Sequence, residues 1–137
     1  MRSVFVSMFF GLLLTFVSAL SASAQQTEIE GTINLQFDAF KADDFEGAFE
    51  FASPALQLLF QSPENFKRMI TTGYPMVQRP AEVTYLELRE SAGSLWQKVQ
   101  IIDGKGYTHL LDYQMIQINE EWRIASVRML NAPALSA

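Results

Sequence analysis

The chain has one histidine, His109, within Tyr107-Thr108-His109-Leu110-Leu111-Asp112-Tyr113. A histidine titrates near neutral pH and can act as a general base, with a tyrosine orienting the substrate. If this stretch is extended, alternation places Tyr107, His109, Leu111, Tyr113 and Met115 on one face. Thr108, Leu110, Asp112, Gln114 and Ile116 take the other. The first set is bulkier and more apolar, so it is expected to face the interior. Asp112 then points away from His109, and a catalytic histidine would lack a carboxylate on its own face. The plainer role for His109 is that of a core or rim histidine satisfied by a backbone carbonyl.

Two other groups of residues could carry chemistry. Adjacent Asp43 and Asp44 suggest metal binding or acid–base work, but they stand where a helix is expected to begin, and an N-cap aspartate accounts for them. A calcium loop would need further oxygen ligands at alternating positions, where Phe45 and Gly47 stand. The segment Gly73-Tyr74-Pro75-Met76-Val77-Gln78-Arg79-Pro80 carries two prolines, which fix φ and stiffen it. Tyr74, Met76 and Arg79 on such a segment could rim a pocket, with Arg79 placed for an anionic group. Alternatively Tyr74 packs on the core and Arg79 pairs with a nearby acid. Together with His109 and Tyr113, these residues are the candidate ligand-binding set.

The elements that must position them divide near residue 80. Ile29, Ile33, Phe37 and Phe40 recur at helical spacing, and Thr27-Glu28-Ile29-Glu30 has capping-box spacing, so a helix is predicted over about 28–42. Asp43 is expected to cap a second helix with the stripe Phe45, Ala48, Phe49 and Ala52. Ser53-Pro54 and Ser62-Pro63 each join a cap residue to proline, predicting helices over about 54–60 and 63–72. Gly73 is expected to end the last of these in a left-handed conformation. Beyond Pro80, the runs 82–90, 95–103, 107–118 and 122–130 are rich in β-formers and separated by short turns, which predicts an antiparallel meander. Helices first and strands afterwards make an α+β domain, with the helices packed on a curved four-stranded sheet. A cone-like shape of this kind commonly holds a pocket.

Composition excludes several functions. With 137 residues the chain suits one domain, and 49% hydrophobic with 18% charged residues excludes a disordered or fibrous chain. It has no cysteine, so a disulfide scaffold, a thiolate metal site and a cysteine nucleophile are excluded. With one histidine, no multi-histidine metal site can form, and no cofactor or metal is expected. A net charge of −5 argues against a nucleic-acid partner. Dinucleotide, P-loop, zincin and nucleophile-elbow motifs are lacking.

The start of the chain reads as an address. Arg2 precedes the apolar stretch from Val4 to Val17, and Ala22-Ser23-Ala24 offers a cleavage site. Residues 1–24 are therefore predicted to be a signal peptide, 25–130 a single α+β domain, and 131–137 a flexible tail. The apolar stretch is shorter than the ~20 residues a spanning helix needs. The product is expected to be exported, periplasmic or secreted, without stable membrane insertion after cleavage.

Particular residues carry a family likeness. Ala39-Phe40-Lys41-Ala42-Asp43-Asp44-Phe45, Phe51-Ala52-Ser53-Pro54, Gly73-Tyr74-Pro75-Met76-Val77 and Arg79-Pro80 resemble an exported bacterial family catalogued as domain of unknown function 4864. Leu86-Glu87-Leu88-Arg89-Glu90, His109-Leu110-Leu111-Asp112-Tyr113 and Trp122-Arg123-Ile124 continue the likeness. It implies a helix-plus-curved-sheet fold similar to nuclear-transport-factor-two-like and SnoaL-like proteins, and it implies no activity.

The leading expectation is a non-catalytic binding or accessory module with a small apolar pocket for a hydrophobic ligand. One alternative is an isomerase- or dehydratase-like enzyme using His109 and Tyr113 on a small hydrophobic substrate. Another is a structural partner of an envelope protein. Trp96, Ile102, Leu110 and Ile116 are expected on the outward sheet face, where they could support a homodimer.

Overall fold

A computed structural model describes the backbone of residues 11–130 and the side chains of residues 22–130. The expected basic start at residues 1–3 and the tail at 131–137 lie outside the described residues. Four helices come first: α1 (Gly11–Lys41), α2 (Phe45–Phe49), α3 (Pro54–Phe60) and α4 (Pro63–Gly73). A 3-10 turn over Pro75–Val77 leads to the strands β1 (Glu82–Ser91), β2 (Ser94–Ile102), β3 (Thr108–Ile118) and β4 (Glu121–Leu130). The strands form one open antiparallel sheet in the order β1-β2-β3-β4. The fold is α+β, as the residue pattern predicts.

The helix starts differ from expectation in two places. Thr27 lies inside α1, and its hydroxyl donates to Ser23 O four residues back, so the expected capping box is not formed. The α2 cap is Asp44, which accepts from Gly47 N, and not Asp43, which takes a left-handed φ of 56° between the two helices. Gly47 fits because a Cβ there would meet the Asp44 carboxylate at 2.3 Å. The α3 and α4 caps are the expected ones: Ser53 Oγ accepts from Leu56 N and Ser62 Oγ from Asn65 N. Gly73 is the last residue of α4, and the C-cap is Tyr74 at φ −135°, so no left-handed glycine ends this helix.

The predicted inward stripe of α1 forms the core. Ile29, Ile33, Phe37 and Phe40 are all buried, against Val99, Ile101, Leu111, Tyr113, Met115 and Ile124 of the sheet. Tyr107 is the exception to the face assignment: it precedes β3 and is exposed. Polar groups pin α1 to both sheet edges. Tyr85 Oη of β1 donates to Asn34 Oδ1 at 2.6 Å, and Trp122 Nε1 of β4 donates to Glu28 Oε2 at 3.0 Å. Burial and the nearby Glu30 push the Tyr85 phenol well above its usual range, so it stays a donor.

Bulges reset the alternation twice. In β1 the register shifts between Tyr85 and Leu88, so both point inward. Buried Gln97 of β2 repairs the bulge: its Nε2 donates to Leu86 O at 3.1 Å and Lys98 O at 2.9 Å. In β4 a second shift leaves Ile124 paired with Met115 and Ser126 with Gln114. Ile124 N and O bond Phe51 O and Ser53 N, each at 2.8 Å. This short parallel bridge seats the start of α3 on the β4 edge.

Candidate functional site

The five candidate residues fall into two separate places. Tyr74 and Tyr113 line an apolar cavity of about 270 Å³ between the helices and the β3–β4 half of the sheet. Met76, Arg79 and His109 line a shallower depression between the 3-10 turn and the β2–β3 turn. The 3-10 turn divides them: Tyr74 lies on one side of Pro75–Val77, and Arg79 follows it.

The cavity is built by every layer of the fold. Gln36 and Phe40 come from α1, Leu56, Leu59 and Phe60 from α3, Phe66, Met69 and Ile70 from α4, and Tyr113, Ile124 and Val127 from the sheet. No residue lining it carries a charge. Phe66 anchors the aromatic side, with ring centroids 5.9 Å from Phe40, 5.4 Å from Phe49 and 5.6 Å from Phe60. The short helix α3 forms part of the wall and buries none of its residues fully. Leu58 and Leu59 are 79% and 74% exposed, an unusual outlay of apolar surface on a seven-residue helix.

Most polar groups on the wall are engaged. Tyr74 Oη donates to Val127 O at 3.2 Å, Gln36 Nε2 to Ala48 O at 3.1 Å, and Ser126 Oγ to Gln114 Oε1 at 2.9 Å. Tyr113 is 1% exposed, and no described residue bonds to its hydroxyl. Burial pushes this phenol far above its usual range, with Tyr85 and Tyr74 adding to the shift, so it is neutral at any ordinary pH.

The depression holds a histidine–carboxylate pair. His109 Nε2 lies 2.8 Å from Asp103 Oδ2, both side chains being partly exposed. Asp103 Oδ1 also accepts from Lys105 N at 2.9 Å and Tyr107 N at 3.0 Å, an Asx-type arrangement that fixes the β2–β3 turn. The His109 bond, followed by these backbone bonds, holds the Asp103 carboxyl below its usual range. The partner of His109 is thus a carboxylate, where a backbone carbonyl was expected. Asp112, on the opposite face, takes no part. Lys105 supplies the one amine lining the depression, no serine, threonine, tyrosine or cysteine lines it, and among the described residues no cluster of His, Asp and Glu could hold a metal ion. Arg79 is already engaged, donating to both Asp43 carboxylate oxygens at 2.9 Å and to Lys41 O at 2.9 Å. It therefore ties α1 to the segment before β1.

The outward sheet face carries an ionic lattice the sequence reading missed. Asp112 is 1% exposed and receives two parallel bonds from Arg89, while Lys98 and Arg128 are its register partners on β2 and β4. The Arg128 guanidinium lies 4.0 Å from the centroid of the Trp96 ring. Trp96 is 8% exposed under this cover, and Ile102, Leu110 and Ile116 on the same face are half-buried.

Over residues 22–137 the chain matches the family described as Domain of unknown function (DUF4864), and it belongs to that family. No curated protein and no solved structure is a match to it.

Proposed function

We propose that this protein is an exported, non-catalytic binding module that takes a small apolar molecule in its cavity. The observation that carries the reading is the cavity of about 270 Å³, walled by aromatic and aliphatic side chains and free of charged ones. An apolar cavity of about 150 Å³ holds benzene, so this one has room for a ring with a short chain. The placement of His109 also supports binding over catalysis. An isomerase- or dehydratase-like site would need His109 and Tyr113 on one substrate, and they line different hollows. The helices-on-sheet arrangement agrees with the expected likeness to nuclear-transport-factor-two-like and SnoaL-like folds.

Butylbenzene titrated into the 15N-labelled protein is expected to shift amide signals of residues 113, 124 and 127 in a saturable way. Val127→Trp, which fills the cavity from β4, is expected to weaken that binding at least about tenfold while the protein still melts cooperatively, since overpacking typically costs about 1–3 kcal/mol. Non-saturable shifts, or shifts confined to the outward sheet face, would remove the reading.

Export rests on Arg2, the apolar stretch and the Ala22-Ser23-Ala24 site. No helix among the described residues is long and apolar enough to cross a membrane. N-terminal sequencing of protein recovered from the cell envelope or medium is expected to begin at Gln25. Recovery of the chain with Met1 intact would contradict export by cleavage.

A further inference from the structure

We infer that the cavity selects uncharged ligands carrying one hydrogen-bond acceptor of ketone, ester or ether type, seated against the Tyr113 hydroxyl; this rests on the binding reading above. The wall offers little else polar to a ligand. The Tyr74 hydroxyl, one Gln36 amide N–H and the Ser126 hydroxyl are engaged with Val127 O, Ala48 O and Gln114 Oε1. Tyr113 remains as a donor with no described partner, on a side chain 1% exposed and lining the cavity. A hydrocarbon would leave that O–H dry and unpaired, which is costly in an apolar enclosure. A ligand acceptor would satisfy it.

The same wall rejects anions. No lysine, arginine or histidine lines the cavity, and the cations of the outward face lie across the sheet, committed to Asp112, Glu87 and Trp96. A carboxylate entering would be desolvated without a counter-charge. Tyr113 cannot compensate by changing its charge, because its neutral form is the one burial favours. The Phe40, Phe60 and Phe66 rings favour a ligand with an aromatic or flat apolar body.

Three probes of nearly one shape separate these terms: 4-phenylbutan-2-one, 3-phenylpropionate and butylbenzene. Each is titrated into the wild-type chain and into Tyr113→Phe, with melting curves confirming that the variant is folded. A ketone also loses more hydration than a hydrocarbon on entry, so the informative quantity is the ketone-to-hydrocarbon affinity ratio compared between the two proteins. That ratio is expected to fall about 3- to 10-fold in Tyr113→Phe, the range of one net hydrogen bond. In wild type the carboxylate is expected to bind at least about 100-fold more weakly than the ketone. An unchanged ratio, or a carboxylate within tenfold of the ketone, would overturn the inference while leaving the cavity a binding site. If butylbenzene itself fails to bind wild type, the binding reading falls first. If Tyr113→Phe does not fold, the ketone-to-carboxylate comparison in wild type still decides the charge selection.

Discussion

Phe37→Ala is expected to destabilise the domain by about 3–5 kcal/mol, the usual range for truncating a buried phenylalanine. That is a large part of the ~5–15 kcal/mol that separates a folded domain of this size from its unfolded chain. Phe37 is 3% exposed on the inward stripe of α1, and its ring meets Tyr113 edge-on with centroids 6.5 Å apart. It does not line the 270 Å³ cavity, so its removal opens a new void in tightly packed core. The neighbours are poorly placed to collapse into that void. Tyr85 and Trp122 hold α1 at both edges of the sheet through Asn34, Glu30 and Glu28. Urea denaturation is the measurement. A loss under about 1 kcal/mol with an unchanged m-value would mean that α1 relaxes freely onto the sheet, against this packing.

The meander was legible because its turns carry their own chemistry. Ala92-Gly93 and Asn119-Glu120 take left-handed φ values of 51°, 79°, 51° and 67°, which suit two-residue hairpins. Ser53-Pro54 and Ser62-Pro63 announced α3 and α4 because a hydroxyl cap and a preset φ act locally. The differences in the sheet and at the site share a cause, which is that each depended on a contact made at a distance or on a broken period. The bulges after Tyr85 and before Ser126 shift the phase of an edge strand, and alternation cannot foresee them. Gln97 looked like an ordinary polar strand residue, yet it is buried to serve carbonyls that the first bulge releases. Alternation along β3 offers His109 only Asp112, on the opposite face, but Asp103 reaches it from across the turn. A signal was present there: Asp103-Gly104-Lys105-Gly106-Tyr107 has the composition of an Asx turn. The candidate residues also appeared as one set, because nothing local shows that the 3-10 turn at Pro75–Val77 sends Tyr74 to one hollow and Arg79 to another.

Arg89→Met on β1 is expected to cost about 3–5 kcal/mol, the range found when one partner of a buried ion pair is removed. The asymmetry of the pair sets the size. The Arg89 side chain is 34% exposed, whereas that of Asp112 is 1% exposed. Asp112→Ala would leave an arginine that can turn to water, so its cost is expected to be smaller, about 1–3 kcal/mol. Arg89→Met leaves a carboxylate buried on the outward face without its two parallel donors. Lys98 and Arg128 lie beside it in register, but the first bonds Glu87 at 2.9 Å and the second covers Trp96. The Lys98 bond holds the Glu87 carboxyl below its usual range. One outcome distinguishes a stranded charge from lost packing. The double variant Arg89→Met with Asp112→Leu is expected to be more stable than Arg89→Met alone, because the second change removes the unpaired charge. Urea denaturation of both variants is the measurement. A double variant no more stable than the single one would show that Arg89 acts through the packing of its stem beside Trp96, its register partner, and not through the charge of Asp112.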